Sequence, residues 1–275
     1  MRSEKRNRPR IAASSYLNTA PLVWSFLHGS RQGDVQLLMD AAPARCAQML
    51  AHGEVEAALV PVIEYHRIPD ITVVPGVCIG ARRAVRSVVL ATRCARLEDI
   101  RSIALDNSSR TSAALIQIIF REYLQRAPST APSAPNLRAM LDAHDAALII
   151  GDPAMTFPRG EFRIYDLAGL WREYTGLGFV FAMWMARSEA AEVVSKIAFA
   201  GARDEGLAHA REIATRYERR LALPQAELLT YLQENICFEL DEEMRAGLEL
   251  FYRLAHKHGL ITSLRSLKML APVLA

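Results

Sequence analysis

Between residues 10 and 186 short apolar runs of three to seven residues alternate with stretches of helical period, and this alternation constrains the fold more than any other feature. The strand-like runs are Arg10–Ala13, Val35–Met39, Ala57–Val60, Ile71–Val74, Ser87–Ala91, Ser102–Leu105, Ala146–Ile150, Arg163–Tyr165 and Phe179–Met185. Runs this short, read as buried strands separated by helices, predict an α/β fold with mostly parallel sheets. In the segment after Asp106-Asn107-Ser108-Ser109, the stripe Ile116, Ile119, Phe120, Tyr123, Leu124 repeats with helical period. From residue 188 onward the strands cease. Helices are expected over 189–202, 204–221, 224–234 and 241–258, so about 90 residues of helix close the chain. Residues 128–136 hold three prolines in nine positions. That excludes a helix or a central strand and predicts a surface loop.

Charge and cysteine usage exclude several function classes. Residues 1–10 carry Arg2, Lys5, Arg6, Arg8 and Arg10 against Glu4, a balance of +4, and read as a disordered tail. The other 265 residues carry 28 basic and 29 acidic side chains, so the body is near neutral and offers no nucleic-acid face. Apolar runs such as Phe179 to Ala186 are far shorter than the roughly 20 residues of a membrane span. The apolar start Ile11-Ala12-Ala13 is too short for a secretory signal, and Cys46, Cys78, Cys94 and Cys237 show no metal spacing. A cytoplasmic protein with free thiols is the expectation. Phosphate-loop, dinucleotide and zinc-protease motifs are absent from the sequence, and His256 and His258 do not share a helical face.

Three polar clusters sit at strand ends, where ligands of open α/β sheets bind. The first is Ser14-Ser15-Tyr16-Leu17-Asn18-Thr19, with Pro21 in the helix that follows. The second, Asp106-Asn107-Ser108-Ser109-Arg110-Thr111-Ser112, combines a helix N-terminus, a cation and hydroxyls, a chemistry suited to a carboxylate. The third is Gly151-Asp152-Pro153, in which Asp152 reads as an N-cap with Pro153 at the first helical position. For each cluster, simple helix capping is the competing explanation.

The clusters recur in an ordered set: SSYLNTAPL, LVPVIEY, VPGVCIG, VRSVVLAT, ALDNSSRTSAAL, DAALIIGDPAM, YDLAGLWREYTGLGFVFAMW and GLELFYRLAHKHGLI. From about Arg10 to Ile261 the chain resembles the chorismate dehydratases, which open the futalosine route to menaquinone. The resemblance implies a two-lobed, periplasmic-binding-protein-like fold with two crossover strands, Val88–Thr92 and Phe179–Trp184. One lobe would comprise 1–90 with 179–275 and the other 91–178. It implies a lyase that needs no cofactor or metal and removes water from chorismate to give 3-[(1-carboxyvinyl)oxy]benzoate, with a homodimer admitted.

The implied substrate-binding residues are Ser15, Tyr16, Ser109, Arg110, Thr111 and Ser112, with Arg110 alternatively a salt bridge between elements. The implied catalytic residues are Asn18, Ser87 and Asp152. An amide is no base, so Asn18 must orient or donate. The substrate's own side-chain carboxylate is then a candidate base. The sister dihydroxynaphthoate synthases carry His-Glu where this chain has Gly151-Asp152. A carboxylate-binding protein without catalysis is the remaining competitor, which the apparent lack of a signal segment disfavours. A regulator's effector domain would need a DNA-binding helix pair, and residues 1–9 hold none.

Overall fold

The computed structural model describes residues 8–271, so most of the basic tail lies outside it. The chain runs β1 (Arg10–Ser14), α1 (Ala20–His28), β2 (Gln36–Asp40), α2 (Pro43–Ala51), β3 (Ala57–Pro61), β4 (Ile71–Ala81), β5 (Val88–Thr92) and β6 (Ser102–Asp106). It continues through α3 (Arg110–Ile118), β7 (Ser129–Ser133), α4 (Leu137–Ala143), β8 (Ala146–Ile150), α5 (Asp152–Thr156), β9 (Arg163–Asp166), α6 (Leu167–Thr175) and β10 (Phe179–Arg187). The closing helices are α7 (Ala191–Val194), α8 (Phe199–Ala208), α9 (Ala210–Leu221), α10 (Gln225–Thr230) and α11 (Glu242–Lys257). π-Helical turns extend α3 over Ile119–Tyr123 and α10 over Tyr231–Asn235.

Two five-stranded sheets form, in the orders β2-β1-β3-β10-β4 and β7-β6-β8-β5-β9. Each contains two parallel and two antiparallel pairings, so the sheets are mixed and not mostly parallel. The reason lies in the crossings. β5 and β10 are the first strands laid down after the chain passes from one sheet to the other, and both run antiparallel to their neighbours. β5 belongs wholly to the second sheet and β10 wholly to the first. The passages between sheets are therefore the segments 82–87 and 176–178, and Val88 to Leu90 do not belong with the first sheet.

The Pro/Ser-rich segment is more ordered than the loop expected of it. Ser129–Ser133 pairs in parallel with β6, and Pro132 stands opposite Leu105. Proline is tolerated there because β7 is an edge strand, where a missing N–H faces no neighbour. The helix expected over 189–202 is broken at 195–198, and the next break falls at His209. Helical period alone does not register interruptions of one to four residues.

Strand β8 shows how alternation builds the layers. Ala146, Leu148 and Ile150 enter the main core, while Ala147 and Ile149 enter a smaller cluster with Val89, Met140 and Ala154. The main core runs continuously through both sheets and the closing helices. Helix ends are defined by the chemistry expected of them. Asp166 caps α6 by accepting the Gly169 N–H at 3.0 Å, and Asp241 caps α11 by accepting that of Met244 at 2.8 Å. Helix α11 also carries Glu242 and Glu243 in its first turn and His256 and Lys257 in its last, matching its dipole.

Candidate functional site

The carboxyl ends of β1 in one sheet and of β6 and β8 in the other converge on one narrow cleft, with an enclosed space of about 60 Å³. Its polar lining is Ser14, Tyr16 and Asn18 from the loop after β1, and Ser108, Ser109, Arg110, Thr111 and Ser112 at the start of α3. Apolar wall is supplied by Leu59, Ile79, Val88, Ile150, Phe181 and Ala182, with Pro43 and Pro61 at the loops. Helix α3 opens at the cleft, so its unsatisfied N–H groups and dipole face the space.

Six of the nine residues expected from sequence line this space: Tyr16, Asn18, Ser109, Arg110, Thr111 and Ser112. Ser109 occupies the N-cap position in extended conformation but its side chain makes no capping hydrogen bond. Thr111 Oγ1 accepts the Ile63 N–H at 3.3 Å. Arg110 Nη1 lies 2.8 Å from Glu64 Oε2, so its guanidinium bridges the two sheets' loops. Glu64 is almost fully buried and also holds Arg67 at 3.1 Å. Glu64 thus holds two guanidinium groups, one of them at the start of α3, where the Asp106 carboxylate also lies.

Three expected residues stand elsewhere. Ser15 turns its side chain away and takes part through its backbone, donating to the Asp40 carbonyl at 2.8 Å and accepting the Tyr217 hydroxyl at 3.1 Å. The hydroxyl that faces the cleft is that of Ser14, the last residue of β1. Ser87 is fully buried behind the wall, where its Oγ accepts the Tyr231 hydroxyl at 2.8 Å and its carbonyl accepts the Gly151 N–H at 2.8 Å. Asp152 is not an N-cap. Gly151 takes that position, and Asp152 is the first residue of α5. Its Oδ1 instead accepts the Leu17 N–H at 2.8 Å, tying the β8 loop to the β1 loop, and its Oδ2 lies 3.6 Å from Arg220. Burial raises the Asp152 pKa above the ordinary carboxylate value.

The same junction explains Gly151. Its φ of +67° suits glycine, and a Cβ there would lie 2.6 Å from the Tyr16 ring. Burial raises the Tyr16 phenol pKa. Asp106, at the end of β6, lies under the α3 start and accepts the Ser108 hydroxyl at 2.6 Å and N–H at 2.9 Å. Sequence reasoning did not single out Ser14, Ser108 or Tyr231. The first two sit inside the recognised clusters, whereas Tyr231 has no local signal because it arrives from the closing helices.

Among the lining residues the only titratable side chains are Tyr16 and Arg110. Among the described residues no group of three or more His, Cys, Asp or Glu could hold a metal ion. No described helix is long and apolar enough to cross a membrane.

Two sheets joined by two short passages, with a cleft between facing strand ends, define a protein of the periplasmic-binding-protein-like class. Solved structures agree. A structural-genomics protein from Archaeoglobus fulgidus superposes with a TM-score of 0.73 at 17% identity, over 94% of this chain and 100% of its own. The periplasmic aliphatic sulphonate binding protein of Escherichia coli superposes with a TM-score of 0.62 at 15% identity, over 98% and 96%. At these identities the likeness concerns fold alone. Sequence comparison narrows the class. Residues 9–257 match the family described as menaquinone biosynthesis, and the chain belongs to that family. A relative in Thermus thermophilus, chorismate dehydratase, is 32% identical over 256 residues, 86% of this chain and 91% of its own.

Proposed function

We propose that the protein is a chorismate dehydratase, a cytoplasmic hydro-lyase that converts chorismate to 3-[(1-carboxyvinyl)oxy]benzoate and water. Family membership and the Thermus thermophilus relative support the activity. The lobes would follow the two sheets, with the boundary in the passage 82–87 and the substrate between them.

The chemistry requires loss of the C3 proton and departure of the C4 hydroxyl, and the product ring is aromatic. The C1 carboxylate makes the C3 proton acidic by conjugation, and aromatisation supplies the driving force. The protein has to hold two carboxylates and orient the leaving group. The start of α3 suits one carboxylate: Ser109 and Ser112 hydroxyls, free backbone N–H groups and the Arg110 guanidinium charge face the same space. Arg110 contributes that charge from its bridge to Glu64 and does not need to leave it. Asn18, which lines the cleft from the loop after β1, would hold the enolpyruvyl group or the departing hydroxyl.

One observation carries the mechanism. The cleft is lined by hydroxyls, one amide, one phenol and one guanidinium, with no carboxylate, imidazole, amine or thiol among the lining residues. A base supplied by the substrate's own side-chain carboxylate fits this lining. A bound conformer that presents it to C3–H gains the proximity advantage without a protein base. Asp152, whose Oδ1 is committed to Leu17, fits a structural role.

The test is incubation of the purified protein with chorismate, read by mass spectrometry. A product lighter by one water with an aromatic absorbance is expected. Tight binding of chorismate without product would make the chain a carboxylate-binding protein instead.

A further inference from the structure

The passage between the sheets is gripped by one face of the closing helices. On α10 and its π-helical extension, residues 227, 231 and 235 recur every four positions and so share a face. Each reaches the passage 84–87. Glu227 pairs with the Arg86 guanidinium, the Tyr231 hydroxyl donates to Ser87 Oγ at 2.8 Å, and Asn235 Nδ2 donates to the Ala84 carbonyl at 3.1 Å. From the opposite side the Asp166 carboxylate accepts the Val85 N–H at 3.0 Å and the Arg86 N–H at 2.5 Å. Arg86 is held at φ +67°, a left-handed conformation that non-glycine residues adopt only when their surroundings impose it.

This grip leads to the cleft. The Ser87 carbonyl accepts the Gly151 N–H, Val88 and Gly151 line the space, and Gly151 sits against the Tyr16 ring. Tyr231 is almost fully buried, and its phenol donates to Ser87 in the wall directly behind the cleft. A π-helical turn re-aims side chains relative to an α-helix, and here it falls where Tyr231 meets the wall.

We infer that Tyr231 is a positioning residue of the reaction, held on a three-point clamp with Glu227 and Asn235 that sets Ser87 and, through it, the Gly151–Asn18 side of the cleft. The inference rests on the dehydratase reading above. Gly151 follows β8, the neighbour of β6 in the second sheet, whereas Asn18 stands after β1 of the first, so the clamp sets how these two loops meet, and its loss is expected to fall on kcat and leave KM in place.

The experiment compares wild type, Tyr231→Phe and Glu227→Gln in chorismate turnover, product-binding calorimetry and amide exchange at Gly151. Tyr231→Phe removes one hydroxyl. It should lower kcat about ten- to a hundredfold, the scale of a modest misplacement of reacting groups. KM and product affinity should stay within about twofold, and Gly151 exchange should accelerate. Glu227 is only partly buried, so Glu227→Gln tests the same clamp without threatening the core, and it should lower kcat in the same direction. If Tyr231→Phe does not fold, the Glu227→Gln result decides. A kcat within twofold of wild type in the folded variants, or a change confined to KM, overturns the assignment. A wild type that does not turn over chorismate overturns the dehydratase reading, and this assignment with it.

Discussion

Asp152 Oδ1 accepts the backbone N–H of Leu17 at 2.8 Å, joining loops that are 135 residues apart in sequence and belong to different sheets. Leu17 is fully buried, so this N–H has no route to water when the loops meet. The carboxylate is thus a fastener of the cleft's two sides, next to the Tyr16–Gly151 contact.

Two variants of Asp152 separate fastening from proton transfer. Asp152→Asn keeps an oxygen for Leu17 and loses the charge. It should keep kcat within about tenfold. Asp152→Ala leaves a buried N–H unsatisfied, a cost of about 1–3 kcal/mol, and should raise KM by about tenfold or more. Steady-state kinetics on both, with product binding measured by calorimetry, checks this. Loss of all turnover in Asp152→Asn with product binding intact would make Asp152 the base.

Ser109→Ala should raise KM by about an order of magnitude and leave kcat nearly unchanged. The Ser109 hydroxyl makes no capping hydrogen bond, so its removal does not weaken α3 directly. A charge-assisted hydrogen bond to a carboxylate contributes about 1.5–3 kcal/mol, and 1.4 kcal/mol is tenfold in affinity. An unchanged KM, with Tm also unchanged, would show that the carboxylate is held by backbone and other hydroxyls.

The strands and the polar loops at β1 and β6 are legible in the sequence because each is a local pattern, whereas the two-lobed arrangement is implied only by the family resemblance. A buried apolar run marks a strand, and a polar cluster after it marks a strand end. Antiparallel insertion of β5 and β10 was not legible, because strand direction depends on where the chain crosses. Ser15 and Ser14 could not be told apart, since a one-residue difference at a strand end exchanges the two faces. Asp152 followed by proline carries the local signature of a cap, yet its carboxylate goes to a loop 135 residues away. Tyr231 and its contact with Ser87, 144 residues apart, are equally non-local.

Stability should fall on acidification because of His66. Its ring packs between Tyr65 and Tyr252, and neither nitrogen has a hydrogen-bond partner among the described residues. Burial, with Arg265 and His256 nearby, lowers its pKa to about 4. The unfolded chain takes up the proton near pH 6.5, so between about pH 6.5 and 4 it binds more protons than the folded chain, and stability drops as pH falls through that window. A gap of about 2.5 pH units corresponds to at most about 3.4 kcal/mol. Asp106, Asp152 and Asp166 have pKa values raised by burial, so they act oppositely and lose stability as pH rises. His66→Phe isolates the imidazole: urea midpoints of the variant should change less than wild type between pH 7 and 4.5. Parallel curves for the two proteins would remove His66 as the cause.

Asn18 should govern rate. It is the only amide among the lining residues, on the loop of the first sheet; the Thr19 hydroxyl, which shares a hydrogen bond of 2.9 Å with Ser14, donates to Asn18 Oδ1 at 3.4 Å. An amide does not take the C3 proton at neutral pH, so its contribution is orientation of the enolpyruvyl carboxylate and support of the departing C4 oxygen. Loss of one oriented donor typically reduces kcat by about 10²–10³. Asn18→Ala should fall in that range, with product affinity reduced far less. Asn18→Asp has the same shape but places a negative charge against a dianion, and it should not recover activity at pH 7. If substrate carboxylate is the base, neither variant should acquire rescue from added formate or imidazole, because no protein base has been removed. A kcat of Asn18→Ala within about twofold of wild type would remove Asn18 from the rate.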